Sequence, residues 1–567
     1  MRLRYYWWII LLFFSQSATD QMPNFIAPVK GTMQLTGTFG ELRSNHFHAG
    51  LDIRGAVGRP LYAIADGFVS RIVVSVGGYG QALYVEHPTG HTSVYAHVDR
   101  FREDIQDFVR ERQYQEESFL LDEEFGSERF PVKQGDLVAY IGKRGHAFGP
   151  HLHFEIRDTK TDRRLNPMNF GITVPDTRKP FINSLRVYAL NERGRVLDGQ
   201  DYNVRGQGAG RYRLNADTLW VNHPIIGFGV KSYDQQNGRP NYNGIYGMAM
   251  WQDSVLRFAY NMDQFLGEQT RYLNAHLDYA EQRDRNSWFQ RAFNLPGNAL
   301  DFYQTDSLRG KIQLTPGQHS HIRFQIVDHQ QNSTELTLVV KREPGGGQLQ
   351  NPVYTYYLPY DEESLIETTE VRAHFPEGAL YEDLYLDYDY LPEASDGIYA
   401  AVHRFHSNST PLHRYFDLHI LPNDLPDTLR DKAIIAHCED GRDPLSFGGE
   451  WTEEGRLRAP VRALGNFTIM ADTIPPTIDI NRFSSNMRGW ESFSFVLDDD
   501  FPTAGKARGL RFRAEVDGQW ILMEYDGRKR RLYHTFDGRI PPGQHELVLR
   551  VMDDRANETV LRRTFTR

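Results

Sequence analysis

Three short stretches in the first third of the chain carry side chains able to hold a metal ion and move protons. They are His48-Ala49-Gly50-Leu51-Asp52, Tyr95-Ala96-His97 and Gly149-Pro150-His151-Leu152-His153-Phe154-Glu155-Ile156. Imidazole nitrogen and carboxylate oxygen are ligands for first-row divalent ions, and neutral imidazole is a general base near neutral pH. One carboxylate with two imidazoles from distant stretches makes an N,N,O set. Three protein ligands leave a position for water, the arrangement of catalytic rather than structural zinc. The same ligand types also suit the two-His, one-carboxylate non-haem iron site. A thiolate site is excluded, because the chain has a single cysteine, Cys438, which also rules out an intrachain disulfide.

These side chains need strands to position them. In an extended strand His151 and His153 face one way, while Leu152, Phe154 and Ile156 face a core on the other. Two imidazoles on one buried face require partners for every ring nitrogen. Tyr95 and His97 have the same spacing, which places them on one face of a second strand. His48 and Asp52 share a face, and Gly50 with its strand-like neighbours favours extended structure. The surrounding residues 24–172 are rich in glycine and short apolar runs, such as Leu61 to Ile64, Gly67 to Val74, Ala82 to Glu86 and Leu137 to Ile141. Such runs read as strands of an all-β module. One excursion interrupts it. Residues 101–130 carry ten acids and four bases, with Phe101, Ile105 and Phe108 at helical spacing. This predicts an inserted helix with a solvated acidic face, either a surface insertion or, because it begins just after His97, a rim or lid.

Residues 46–157 resemble the lysostaphin/LytM-type zinc metallopeptidases, which cleave peptide bonds in bacterial peptidoglycan. The resemblance rests on His-x-x-x-Asp, then Tyr-x-His, then His-x-His, in that order. Gly58-Arg59-Pro60-Leu61, Ala65-Asp66-Gly67, Gly77-Gly78-Tyr79-Gly80, His87-Pro88-Thr89-Gly90, Val132-Lys133-Gln134-Gly135-Asp136 and Ile141-Gly142 agree with it. It covers about a quarter of the chain. It implies a β-sheet module of the duplicated-hybrid-motif kind, one Zn2+ held by His48, Asp52 and His153, and His97 and His151 as catalytic histidines that do not bind the metal. The sequence departs from the family at Gly145-His146-Ala147-Phe148-Gly149, where small hydroxyl residues are usual, and in the length of the 101–130 insertion. Neither departure removes a site residue. His46, His87, His91 and His146 read as surface or supporting histidines, with His46 the one placed to assist.

The rest of the chain reads as accessory structure. Arg2, Arg4, the apolar run Trp7 to Phe14 and Ser15-Gln16-Ser17 form a signal peptide over residues 1–17. The run is too short for a membrane anchor, so the mature protein is expected to be exported, periplasmic or extracellular. The peptidase module then spans 18–172. A weak internal repeat follows. Asp176-Thr177-Arg178-Lys179-Pro180 and Asp472-Thr473-Ile474-Pro475-Pro476 start its copies. Pro316-Gly317-Gln318-His319 with Asp328 and Asn332, and Pro542-Gly543-Gln544-His545 with Asp553 and Asn557, end them. Two Ig-like β-sandwiches are expected at 173–343 and 471–567, the first with a helical insertion near Met262 to Arg283. After the linker Pro344-Gly345-Gly346-Gly347, residues 344–470 read as a further β-rich domain. The fold class is therefore mainly β.

The 567 residues hold 64 Lys and Arg against 74 Asp and Glu, a net charge of −10. That balance argues against nucleic-acid binding through bulk positive charge. No later stretch is apolar enough to span a bilayer. Of the 21 histidines, only those in the first module cluster with a carboxylate. The expected function is an exported zinc endopeptidase with a peptidoglycan peptide as substrate. The β-domains are available for a protein or envelope partner. The alternatives are a catalytically idle wall-binding regulator or scaffold, and an exported protease acting on Gly-rich proteins.

Overall fold

A computed structural model describes residues 23–345, 352–392, 397–439 and 441–567. The expected signal peptide and part of the glycine linker lie outside the described residues. The fold is mainly β, with 46% strand and 7% helix, and among the described residues no helix is long and apolar enough to cross a membrane.

The N-terminal module is an antiparallel sheet whose centre carries the three motifs. Its elements are β1 (Leu35–Gly37), β2 (Leu51–Arg54), β3 (Gly67–Val74), β4 (Gln81–Glu86), β5 (His91–Ala96), α1 (Glu103–Gln115), β6 (Leu121–Glu124) and β7 (His151–Asp158). The strand order is β1-β2-β7-β5-β4-β3-β6. Alternation along the strands sets the two faces. Leu51, Ile53, Leu83, Val85, Tyr95, Leu152, Phe154 and Ile156 point into one buried core, against a small sheet of Pro60–Tyr62, Leu137–Ile141 and Val98–Phe101. The opposite face carries Asp52, Ala96, His153, Glu155 and Arg157.

Two expectations about local geometry are corrected. Tyr95 and His97 do not share a face. Tyr95 is fully buried in the core, where its hydroxyl donates to Tyr62 O and accepts from Ile64 N. The strand ends at Ala96, and His97 has a left-handed φ of 59°. That turn carries the imidazole round to the other face. His48 lies before β2 rather than on it, in a segment held by His48 N donating to Glu41 O and Gly40 N to His48 O.

The insertion is helical only over Glu103–Gln115, and Phe101 belongs to a strand, paired with Ala139. Ile105 and Val109 bury against the module's core. Glu111, Tyr114 and Glu117 meet the C-terminal sandwich through Arg539, Trp520 and Arg513 respectively.

Each following segment has its own core. Residues 176–342 form a β-structure in which the long strand Val196–Gly208 runs from one sheet into the other, so the two sheets are continuous. Its helical insertion is confined to Gly267–Arg285 in three short pieces, because Met262 and Phe265 are needed in the core. Residues 356–471 carry two five-stranded sheets, and residues 477–566 two four-stranded sheets. The first of these segments is packed tightly onto the N-terminal module. Phe39 and Phe47 insert into its core against Phe265, and Arg164–Leu165 pairs with Gln264–Phe265.

Gly50 marks a close approach inside the site sheet. A Cβ there would stand 2.1 Å from Phe154 O, a backbone atom of β7 that cannot move aside. Gly50→Ala is expected to destabilise the β2–β7 pairing by about 1–3 kcal/mol. Hydrogen–deuterium exchange should show amide protection in β2 and β7 falling about ten- to hundredfold, with the C-terminal sandwich unchanged.

Candidate metal centre

The register of three strands assembles the centre. His153 on β7 is directly opposite Asp52 on β2 and Ala96 on β5. His48 reaches in from the segment before β2, and His97 from the turn after β5. His48 Nε2 lies 3.0 Å from Asp52 Oδ1 and 3.0 Å from His153 Nδ1, and His153 Nδ1 lies 3.1 Å from Asp52 Oδ1. Three donors converge on one point. A tetrahedral ion with ligand bonds of about 2.0–2.1 Å has ligand atoms about 3.3 Å apart, so a small relaxation seats it.

Each of these rings has its tautomer set by a group on its far side. His48 Nδ1–H donates to Thr38 O at 2.7 Å, which leaves Nε2 free. His153 Nε2–H donates to Glu155 Oε1 at 2.8 Å, which leaves Nδ1 free. Such partners orient metal-binding imidazoles and raise their basicity. Asp52 offers Oδ1 to the centre while Oδ2 accepts from Arg43 Nη2 at 2.9 Å. Burial works against ionisation of Asp52, yet the imidazoles of His48, His151 and His153 hold its carboxyl well below the usual range. Burial likewise disfavours a charge on His153, but the Asp52 and Glu155 carboxylates pull it up to about 9. Without a metal the centre therefore retains a proton that an ion would displace.

Glu155, Arg157, Tyr79 and Arg43 were not singled out from the sequence. Glu155 is fully buried, bonded through Oε2 to Arg157 Nε at 2.7 Å and through Oε1 to the Tyr79 hydroxyl as well as to His153. Burial alone would raise its pKa, and the Arg157 guanidinium, then His153 and Tyr79, hold it low. The signal was present: the alternation that aligns His151 with His153 also aligns Glu155 and Arg157. Tyr79 and Arg43 left no such trace, because only the fold brings their loops here.

His97 and His151 stand beside the three donors. Their ring centroids are 4.8 Å apart, and that of His97 is 5.8 Å from that of His153. His97 Nδ1–H donates to Arg144 O and His151 Nδ1–H to Gly149 O, both at 2.8 Å. A carbonyl only accepts, so in both rings Nε2 is the unprotonated nitrogen when the ring is neutral. Burial, then the imidazoles of His153 and His151, push His97 down to about 3.

The other nearby histidines are elsewhere employed. His46 is exposed, and its Nδ1 bonds to Ser44 O. His146 lies at Gly77. His91 bonds to Thr89. His87 is neither a surface nor a supporting residue: it is buried and bridges Asp66 O and Ser93 Oγ, as a core histidine must.

The rim of the site is joined to the far end of the chain. Arg144, whose carbonyl orients His97, sends its guanidinium to Glu524 and the Tyr533 hydroxyl of the C-terminal sandwich. Arg528 donates to Ala147 O and lies 4.2 Å over the ring of Phe148, which is 92% exposed. The unusual 145–149 segment is thus clamped by residues almost 400 positions later.

Comparison with known proteins finds similarity in two parts of the chain. Residues 46–114 match peptidase family M23, and residues 355–472 match a Zu5-like domain. A DD-carboxypeptidase/endopeptidase of Neisseria meningitidis is 26% identical over 135 residues, 24% of this chain and 25% of that protein. A murein hydrolase activator of Escherichia coli is 31% identical over 133 residues, 24% of this chain and 28% of that protein. The match thus spans about a quarter of the length of these relatives. The catalytic domain of lysostaphin from Staphylococcus simulans aligns at 20% identity over 25% of this chain and 93% of that domain, with a TM-score of 0.18. The N-terminal module is thus similar to the M23 peptidases, the family match lying at residues 46–114.

Two predictions follow from the supporting groups. Glu155→Gln is expected to weaken metal affinity about 10- to 100-fold while leaving the three donors in place, read by competition with a chromophoric chelator. Arg144→Ala is expected to leave metal content intact and lower kcat by up to about a hundredfold through misplacement of His97. Metal analysis beside steady-state kinetics separates the two effects.

Proposed function

We propose that this chain is a zinc metalloendopeptidase acting on the peptides of bacterial cell-wall peptidoglycan, exported to the periplasm or cell exterior. The observation that carries the reading is the convergence of His48 Nε2, Asp52 Oδ1 and His153 Nδ1 within 3.0–3.1 Å, flanked by two histidines whose Nδ1 atoms each donate to a backbone carbonyl. An N,N,O set of three protein donors suits catalytic zinc. The names of the matched relatives, a DD-carboxypeptidase/endopeptidase and a murein hydrolase activator, support the cell wall as substrate.

His48, Asp52 and His153 would hold the ion, with Glu155 and Thr38 O fixing the two rings. Bound zinc supplies Lewis-acid chemistry, lowering the pKa of water toward about 7 and polarising a carbonyl. The chain supplies the proton traffic. A neutral imidazole at His97 or His151 accepts the proton of the attacking water on Nε2. Once protonated the same ring is a donor, to the developing oxyanion or to the leaving amine. The burial that keeps His97 neutral also makes its protonated form a strong acid, which favours passing the proton on. The C-terminal sandwich holds Arg144 and the 145–149 rim, and so shapes the groove that receives the substrate.

Purified protein incubated with peptidoglycan should release peptides, and a chelator should abolish the release. His48→Ala, Asp52→Ala and His153→Ala should lose both zinc and activity. His97→Ala and His151→Ala should keep zinc and lose turnover. Unchanged metal content in all five variants would overturn the ligand assignment. The activator among the relatives favours a second reading, a non-hydrolytic regulator. Wall binding without peptide release would establish that reading instead, and cleavage of Gly-rich proteins alone would redirect the substrate.

A further inference from the structure

The two repeat copies close their last hairpin with the same turn, bond for bond. In the first, Asn332 N donates to Asp328 Oδ1 at 2.8 Å, and Asn332 Nδ2 donates to Asp328 Oδ2 at 2.7 Å and Asp176 O at 3.2 Å. In the second, Asn557 N donates to Asp553 Oδ1 at 2.9 Å, and Nδ2 to Asp553 Oδ2 at 2.8 Å and Asp472 O at 3.0 Å. A third acid follows a matched strand in each copy, Asp234 after Ile225–Tyr233 and Asp499 after Ser492–Asp498.

Among the described residues the copies differ in how closely these acids approach one another. In the second, Lys432 Nζ donates to Asn557 Oδ1 at 2.6 Å and Arg555 pairs with Asp554 at 3.1 Å, while Asp472 Oδ2 and Asp499 Oδ1 have no hydrogen-bond partner and burial with repulsion from neighbouring acids pushes both groups up to about 7. In the first, Asp176, Asp234 and Asp328 bring carboxylate oxygens within 4.8 Å of one another. All three are more than nine-tenths buried, with exposures of 8%, 5% and 2%. Asp176 Oδ2 and Asp234 Oδ1 have no hydrogen-bond partner. Arg178, the basic residue that bears on Asp234, sends its guanidinium to Gln235 instead. Burial, then repulsion from Asp328 and Asp176, push Asp234 up to about 7. Buried carboxylates so close together are costly unless a cation joins them.

A small cavity of about 20 Å³ lies among them, also lined by Thr38, Gln236 and Tyr246. That is room for one water-sized occupant. An all-oxygen donor set selects a hard cation over zinc, with water or carbonyl oxygen completing the shell. We propose that Asp176, Asp234 and Asp328 form a binding site for a divalent cation of the calcium class, at the seam between the peptidase module and the first repeat copy. The site is separate from the His48 centre but mechanically connected to it, because Thr38 lines the cavity and its carbonyl orients His48. A cation here would hold the segment that carries His48 against the neighbouring domain.

The test uses the full chain, stripped of calcium with a calcium-selective chelator and kept in zinc. Equilibrium dialysis against Ca2+ should find a single ion taken up through this site, and Ca2+ should raise Tm by several degrees. Asp234→Asn and Asp328→Asn should each lose that ion and the Tm response. Asp499→Asn in the second copy should keep both. His48→Ala should also keep both, so the result stands whether or not the peptidase reading does. Absence of Ca2+ uptake by the unmodified chain, or uptake undiminished in Asp234→Asn and Asp328→Asn, would overturn the proposal. A conserved Tm response in those two variants would likewise place the ion elsewhere.

Discussion

The pairing of β7 between β2 and β5 is the constraint on which the site depends. It sets His153 opposite Asp52 on one side and Ala96 on the other. A slip by one residue would turn His153, Glu155 and Arg157 into the core and expose Phe154 and Ile156. The apolar face therefore enforces the face that carries His153: Leu152, Phe154 and Ile156 are each fully buried. Behind His153 the Glu155–Arg157 ion pair is itself buried, so a one-residue slip would drive both charges into the apolar core.

Around that register the chain builds a second layer of support from far away. Phe47, next to His48, is anchored in the core of the following domain, where its amide donates to Thr270 Oγ1 at 2.9 Å. Arg144, behind His97, is held by Glu524 and Tyr533 of the last sandwich. The accessory structure thus bears on both sides of the centre, on a donor through residues 38–48 and on a neutral histidine through residues 144–148. This explains why a compact module can tolerate an exposed Phe148 and a long acidic insertion. The insertion meets the C-terminal sandwich through Glu111, Tyr114 and Glu117, and among the described residues Phe148 meets it only through Arg528 over its ring.

The chemistry of the first module could be read from residue types and order. His48, Asp52, His97, His151 and His153 converge as the spacing and the resemblance imply, and the core face of β7 follows from simple alternation. The same alternation misled at Tyr95 and His97. A single left-handed residue at a strand end reverses the side on which a side chain emerges, and nothing in a two-residue spacing reports φ. Glu155 and Arg157 were within reach of the pattern, since they continue the His151–His153 face. Arg43, Tyr79 and Arg144 were not, because their partners are contacts between loops or domains.

The sequence by itself determined the donor types, the apolar alternation, the exclusion of thiolate chemistry and the recurrence of the Asp-to-Asn turn. These are local properties, encoded in neighbours two to five residues apart. Only the tertiary structure decided which nitrogen of each imidazole faces the centre, that Arg144 ties His97 to the last sandwich, and that the first copy of the repeat gathers three buried carboxylates within 4.8 Å. Those outcomes depend on the far-side hydrogen-bond partner of each group and on burial. Both are set by which distant segments pack together, information that no short window of residues contains.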